Sequence, residues 1–343
     1  MKILFIDPIC LPGHINFNRI HISALQKEFG IKNVDICVIE DYEKKMNISN
    51  STTVYTVPKN IINTSSGLKY RLSMYKVFRE IMKILNLRDY DNIILSCFDE
   101  VALCMSRFPK SYVIIHNNIA CLNNRIKKIC FRQVLREHIP IVLNNSSKEF
   151  IKSKYNREVQ LVNHGLVNPF SIKFREYPFP INEDEFIILT PSYISADRIE
   201  ILNIISSPSI QSWLEKNNAY LCIRGEKLNN ISNRVRFIEG RLSEVEYQSI
   251  ILRADCLLIC YPTTFKYRES GILNEAFAND KISVIKDNGV FEHYKSLIKD
   301  ELFYSSEKSL IKALDYIKSD GVFYKNPISL EKIKIPDYSF FYN

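Results

Sequence analysis

Along the chain, short unbroken apolar runs alternate with longer segments in which apolar residues recur every three or four positions. "KILFID" is an apolar run that ends in a Pro/Gly loop, and "INFNRIHISALQKEFG" then reads as a helix closed by Gly30. "VDICVIED" follows as a second strand. "YDNIILSC", "SYVIIHNN" and "IPIVLNNS" are continuous apolar strands of the kind that parallel sheets bury on both faces. Two long amphipathic helices lie between these runs, "GLKYRLSMYKVFREIMKILNL" and "NNRIKKICFRQVLREH", both rich in Lys and Arg. The first half is therefore expected to be an open α/β sheet.

Around "HGLVNPFSIKFREYPFPINEDE" the periodicity stops, three prolines appear and charges cluster, which predicts a linker. The pattern then restarts with "FIILTPS" (strand), "ADRIEILNIISS" (helix), "AYLCIRG" and "RVRFIEG" (strands), "EVEYQSIILRA" (helix), "DCLLICYP" (strand) and "KISVIK" (strand). A chain of 343 residues suits two domains. The expected division is an N-terminal domain over 1–165, a linker over 166–184, a C-terminal domain over 185–325 and a tail over 326–343. Two parallel sheets of this kind bind ligands outside the carboxyl ends of their strands, in the crevice between domains.

Composition removes several classes. With 46% hydrophobic and 24% charged residues the chain is neither disordered nor fibrous. The start, "MKILFIDPICLPGH", lacks a signal-peptide core, and no apolar run reaches the ~18 residues that span a bilayer. A cytoplasmic protein is expected. The nine cysteines include no C-x-x-C pair, and Cys37, Cys97, Cys222, Cys256 and Cys260 lie in or beside apolar runs, so they are read as reduced packing residues; no metal site is expected.

Charge adds one asymmetry to this picture. The net charge is +8, but residues 1–165 hold 24 Lys+Arg against 14 Asp+Glu, leaving 22 against 24 for residues 166–343. A half-molecule at +10 implies an anionic partner surface: a membrane leaflet, a phosphorylated acceptor or nucleic acid. The aromatics of the basic helices fall at helix-packing positions, which argues against nucleic acid. The same helices read either as solvated outer helices or as an interfacial surface resting on anionic lipid.

The usual cofactor and nucleophile motifs are missing. There is no G-x-G, no phosphate-binding G-x-x-x-x-G-K-[ST] and no G-x-S-x-G, so dinucleotide enzymes, P-loop NTPases and serine hydrolases of that type drop out. "DYD" at 89–91 precedes a strand instead of following one, the wrong end for a metal-diphosphate site.

One stretch carries positive chemical content. In "YRESGILNEAFANDKISVI" the residues before Ser270 form the loop after a strand, and Ser270-Gly271 begins a helix. Free N–H groups and the positive end of the helix dipole make such a start an anion site, and Gly271 removes a side chain that would hold a phosphate away. Glu275 lies one turn in, on the same side, where its carboxylate can accept both hydrogen bonds of a vicinal diol. Phosphate at the start and diol one turn later describe a nucleoside diphosphate. The same residues also read as an ordinary capped surface helix.

The second half, from "FIILTPSYISADR" through "VRFIEGRLSEVEYQSIILRADCLLICYPTTFKYRESGILNEAFANDKISVI", resembles the donor domain of GT-B-fold glycosyltransferases, in particular the large retaining family four. "HGLVNPF" is similar to that family's interdomain segment, and "VIIHNN" to its N-domain strand ending in histidine. The resemblance implies two Rossmann-like parallel-sheet domains facing an interdomain cleft. It also implies transfer of a sugar from a nucleotide sugar of UDP or GDP type to a glycan or lipid-linked acceptor, at the inner membrane face, without a separate cofactor.

Carried over by residue, Glu275 matches the second glutamate of the family's E-x7-E motif, which holds the donor ribose. Ser270 and Gly271 would lie at the diphosphate, and Arg198 would match the basic residue that neutralises it, with Arg224 or Lys227 as a second cation; Arg268, beside the Ser-Gly step, is another candidate for the diphosphate. Glu269 would stand for the first glutamate, although five residues separate it from Glu275 instead of seven. His116, at the end of a strand, and His14, in a Pro-Gly-His loop, are the N-domain candidates for holding hydroxyls of acceptor or sugar. An inverting enzyme would instead need a base, for which His14, Asp99 and Glu100 are available. Two rival readings remain open: a GT-B-fold sugar-nucleotide epimerase, and a non-catalytic protein that binds an anionic surface.

Overall fold

The structure is a computed structural model; it describes all residues except 11–13, 47, 63–66, 173–176, 179, 181, 183, 193–195, 228–231, 320, 326–333 and 343. The chain divides into two compact units. The first comprises Met1–Gly165, Tyr267–Glu269 and Ile333–Asn343, the second Leu166–Lys266 and Ser270–Lys332.

The first unit holds β1 (Ile3–Ile6), α1 (Ile15–Phe29), β2 (Val34–Ile39), α2 (Tyr42–Met46), β3 (Val54–Val57), α3 (Leu68–Ile84), β4 (Asn92–Leu95), α4 (Glu100–Ser106), β5 (Tyr112–Ile115), α5 (Arg125–Glu137), β6 (Ile139–Val142), α6 (Asn145–Tyr155) and β7 (Gln160–Leu161). Its seven strands are all parallel in the order β3-β2-β1-β4-β5-β6-β7. The order reverses between β1 and β4, so the carboxyl ends of those two strands flank a topological switch point.

Both faces of this sheet are covered, which explains the unbroken apolar strands. One face packs Met74, Val77 and Phe78 of α3, Ala102 and Leu103 of α4, and Phe131 and Val134 of α5. The other packs Phe17, Ile22 and Leu25 of α1 together with Tyr338 and Phe341. The segment expected as a tail thus contributes side chains to the first unit's core, tied by Tyr338 Oη to His21 Nδ1 at 2.6 Å. Gly165, in the "HGL" step, has φ +78°, and a Cβ there would collide with Ile20 Cγ2. Only glycine suits that backbone and that contact.

The second unit holds β8 (Phe186–Thr190), α7 (Arg198–Ser206), α8 (Pro208–Lys216), β9 (Ala219–Arg224), β10 (Val235–Ile238), α9 (Glu244–Arg253), β11 (Cys256–Ile259), α10 (Gly271–Ala278), β12 (Ile282–Lys286), β13 (Phe303–Tyr304) and α11 (Glu307–Lys318). Its six strands are parallel in the order β10-β9-β8-β11-β12-β13, with the switch point between β8 and β11. Local chemistry sets the helix starts: Ser243 and Glu246 form a capping box on α9, Asp197 caps α7, and Ser207 with Pro208 opens α8. Among the described residues no helix is long and apolar enough to cross a membrane.

Candidate functional site

In the second unit, β11 delivers Cys260 and Tyr261 at the carboxyl side of the switch point, and the chain enters α10 through Ser270. The Ser270 hydroxyl accepts from the Leu273 N–H at 3.1 Å and lies 3.1 Å from Tyr261 Oη. Ser270 is buried, whereas Gly271 is exposed and a Cβ built on it meets nothing within 4 Å among the described residues. Among those residues the space beside the first turn of α10 is open, and the turn's remaining N–H groups face it with the dipole's positive end.

One turn further on, Glu275 accepts a hydrogen bond from Tyr247 Oη of α9 at 2.7 Å. Arg224, the last residue of β9, stacks its guanidinium over the Tyr247 ring with Cζ 5.1 Å from the centroid. Burial pushes the Glu275 carboxyl up to about 7, while the Tyr247 hydrogen bond and the Arg224 charge pull the other way. Ser270, Gly271, Glu275 and Arg224 are thus gathered around the start of one helix and the end of one strand.

The other expected cations are exposed or half-buried. Lys227 is exposed beyond β9, its backbone N–H donating to Glu239 Oε1 at 3.1 Å. Arg198 is exposed in the first turn of α7. Beside that turn stands Lys286, which contacts Glu200 Oε2 at 2.8 Å and Asp197 Oδ2 at 3.5 Å, so its charge is largely offset.

Arg268 and Glu269 belong to the first unit, where both are half-buried. Asn144 Nδ2 donates to Glu269 Oε1 at 2.9 Å, and Asn144 Oδ1 caps α6 by accepting from Ser147 N–H at 2.8 Å. Ser147 Oγ in turn donates to the Tyr267 carbonyl at 3.1 Å. Asp99 and Glu100 already have structural partners: Asp99 caps α4, and Glu100 is buried, accepting from Asn118 at 2.9 Å with Lys127 3.7 Å away.

His14 and His116 are brought together. Their rings stack with centroids 5.0 Å apart. Four of the six histidines surround Phe17, with ring centroids at 6.3 Å for His14, 4.0 Å for His21, 4.2 Å for His116 and 5.0 Å for His164. Burial lowers the pKa of each, and for His14, His21 and His116 neighbouring histidines lower it further, so the cluster is uncharged at neutral pH. Among the described residues, His14 Nδ1 and His116 Nε2 are buried without a hydrogen-bond partner. Pro12 and Gly13, expected to shape this loop, lie outside the described residues.

The switch point below this cluster is polar. Asp7, just past β1, is fully buried and accepts from Cys10 N–H at 2.8 Å, Asn18 Nδ2 at 2.6 Å and Cys97 Sγ at 2.9 Å. Asp7, Tyr247, Tyr261, Asn144, His21 and His164 were not singled out from the sequence. His21, Asn144 and Tyr247 take their partners from 317, 125 and 28 residues away, and only Asp7, a carboxylate ending an apolar strand, carried a local signal.

No family model matches this chain, and no curated protein matches it. Solved structures do. The UDP-GlcNAc 2-epimerase of Methanocaldococcus jannaschii is similar with a TM-score of 0.58 at 15% identity, covering 97% of this chain and 98% of that one. The apo form of the lipopolysaccharide outer core galactosyltransferase WaaB gives 0.54 at 15% identity, covering 100% and 97%. A glycosyltransferase from Rickettsia africae gives 0.53 at 14%, covering 97% and 91%. The fold is that of the GT-B class: two parallel-sheet α/β units, of seven and six strands.

Proposed function

We propose that the protein is a glycosyltransferase that moves a sugar from a nucleotide-sugar donor to a lipid-linked or growing surface-glycan acceptor. The observation that carries this reading is the start of α10. There an open glycine turn precedes, by one helical turn, a carboxylate held by Tyr247 and faced by Arg224. A diphosphate would lie against the Gly271 end, and a ribose diol would donate to Glu275. As the glycosidic bond breaks, negative charge builds on the departing phosphate, where N–H groups and a guanidinium stabilise it. In the retaining chemistry of family four, which the sequence resembles, the departing phosphate oxygen takes the acceptor proton, and no dedicated protein base is needed.

A sugar-nucleotide epimerase is the second reading. It is favoured by Asp7, His14 and Cys97, whose ligating atoms lie within 4.8 Å of one another and offer acid/base groups without an acceptor. Both readings are tested by thermal stabilisation with UDP, GDP, CMP and their sugars, followed by incubation with the donor alone. Stabilisation by one nucleoside diphosphate that is lost in Glu275→Ala supports the donor site. Conversion of donor alone into an isomer selects the epimerase, and no stabilisation by any nucleotide removes both.

A further inference from the structure

The outward surface of two helices in the first unit changes character along their length. On α3 the solvent-facing stripe reads Leu68, Leu72, Lys76, Arg79 and Lys83, and the two leucines are 71% and 46% exposed. The core needs neither, since Met74, Val77, Phe78 and Ile81 fill it from the opposite side. On α5, Ile126 and Ile129 are 60% and 68% exposed, with Arg125, Lys128 and Arg132 exposed around them.

The topology puts these residues at one end of the helical layer on one face of the first unit's sheet. Helices α3, α4 and α5 pack side by side against the same sheet face. Parallel strands joined by crossovers make all three run the same way, with their first turns at the carboxyl edge of the sheet. Leu68 and Leu72 occupy the first two turns of α3, and Ile126 and Ile129 the first two of α5. Each helix carries five Lys+Arg against one Glu, Glu80 on α3 and Glu137 on α5. Single exposed aliphatics are ordinary; four at the same end of two such basic helices make a surface with two chemistries.

We propose that this surface docks on an anionic phospholipid bilayer. The two leucines and two isoleucines enter the boundary between headgroups and acyl chains, and the surrounding cations meet lipid phosphate. Charge complementarity selects this occupant. A second copy joined face to face would set two cationic surfaces against each other. Single-stranded nucleic acid would call for aromatic platforms, and the exposed side chains of this patch are aliphatic. The docking surface stands independently of the donor site, because vesicle binding needs no sugar nucleotide.

The test is flotation of the full chain with vesicles of phosphatidylcholine alone and of phosphatidylcholine mixed with phosphatidylglycerol. We expect binding to the mixed vesicles that weakens as salt rises. Ile126→Ser with Ile129→Ser should lower that partition about tenfold, and Lys128→Glu with Arg132→Glu should lower it by at least as much. All four positions are exposed, so the melting temperature and any stabilisation by nucleoside diphosphates should be unchanged. This separates failure of the surface from failure of the donor reading. No flotation with either vesicle, or equal flotation of wild type and variants, would overturn the proposal. So would a concentration-dependent dimer that the isoleucine variant abolishes while wild type ignores vesicles.

Discussion

Tyr247 and Glu275 are joined by a hydrogen bond of 2.7 Å that links α9 to α10, with the tyrosine hydroxyl as donor. This contact gives a buried carboxylate one fixed partner and leaves its remaining acceptor capacity for a ligand. Burial nevertheless dominates, and the group titrates near 7 instead of its ordinary 4.5.

That shift has a sign in stability. Between the unfolded and folded pKa values the folded chain binds the extra proton, so the protonated form's contribution is complete below pH 4.5 and is lost as pH rises through 7. The stability of wild type relative to Glu275→Gln should therefore fall by about 3 kcal/mol across that window. Urea unfolding of both proteins at about pH 5 and about pH 8 measures it. A difference that does not change with pH would mean the carboxylate is hydrated and not buried.

The open space at Gly271 separates folding from binding. Because a Cβ there meets nothing, Gly271→Val should change stability by less than about 1 kcal/mol. Yet it places a branched side chain where a phosphate would approach, and nucleoside diphosphate affinity should drop at least about tenfold. Ser270→Ala should do the reverse: its cap loss costs about 1 kcal/mol, with a smaller change in affinity. Tight binding by Gly271→Val would place the anion elsewhere.

Glu269 and Glu275 should separate by kinetic signature. Glu275 is proposed to hold the diol in ground and transition states alike, so Glu275→Gln should mainly raise the nucleotide Kd. Glu269 is held by Asn144, and the sequence resemblance gives it a place near the donor sugar; on that proposal Glu269→Gln should lower turnover about a hundredfold with little change in that Kd. Isothermal titration with the nucleoside diphosphate, set beside single-turnover transfer, distinguishes them. Equal losses in both quantities for both variants would reject the division of roles.

Much of this architecture is legible in local sequence. Buried parallel strands such as "NIIL" and "CLLI" read as continuous apolar runs because both sheet faces are covered, and Gly30 and Ser270 mark helix ends by their own backbone chemistry. Between "ADRIEILNIISS" and the strand "AYLCIRG" the sequence reading has no second helix, whereas Ser207 caps α8 and Pro208 occupies its first position. Tyr338 could not be assigned from local pattern, since its partner His21 lies 317 residues away. Within the proposed donor site, Ser270, Gly271 and Glu275 lie on one helix and its cap and so share one local pattern. Tyr247 shares none of it and is placed there only by the packing of α9 beside α10.

The histidines around Phe17 make the last prediction. Burial lowers the pKa of His14, His21, His116 and His164, and the charged groups facing them, Asp7 toward His14 and Glu269 toward His164, offset this only in part. Once the pH falls below 6.5, unfolded histidines take up protons that the folded cluster refuses, so the unfolded state is favoured. Each histidine contributes up to about 1.4 kcal/mol per pH unit, and the four together up to about 5. Removing His116, whose Nε2 has no hydrogen-bond partner among the described residues, should make acid unfolding shallower. The stability of His116→Gln relative to wild type should rise as pH drops from about 7 to about 5.5, read from urea melts at each pH. Glu275 acts in the opposite direction over part of this window, so the comparison is made between the two proteins and not within one. A difference that stays constant with pH would show that His116 titrates as it does in the unfolded chain. The cluster would then be hydrated, and a ligand hydroxyl would have to displace water to reach His14 or His116.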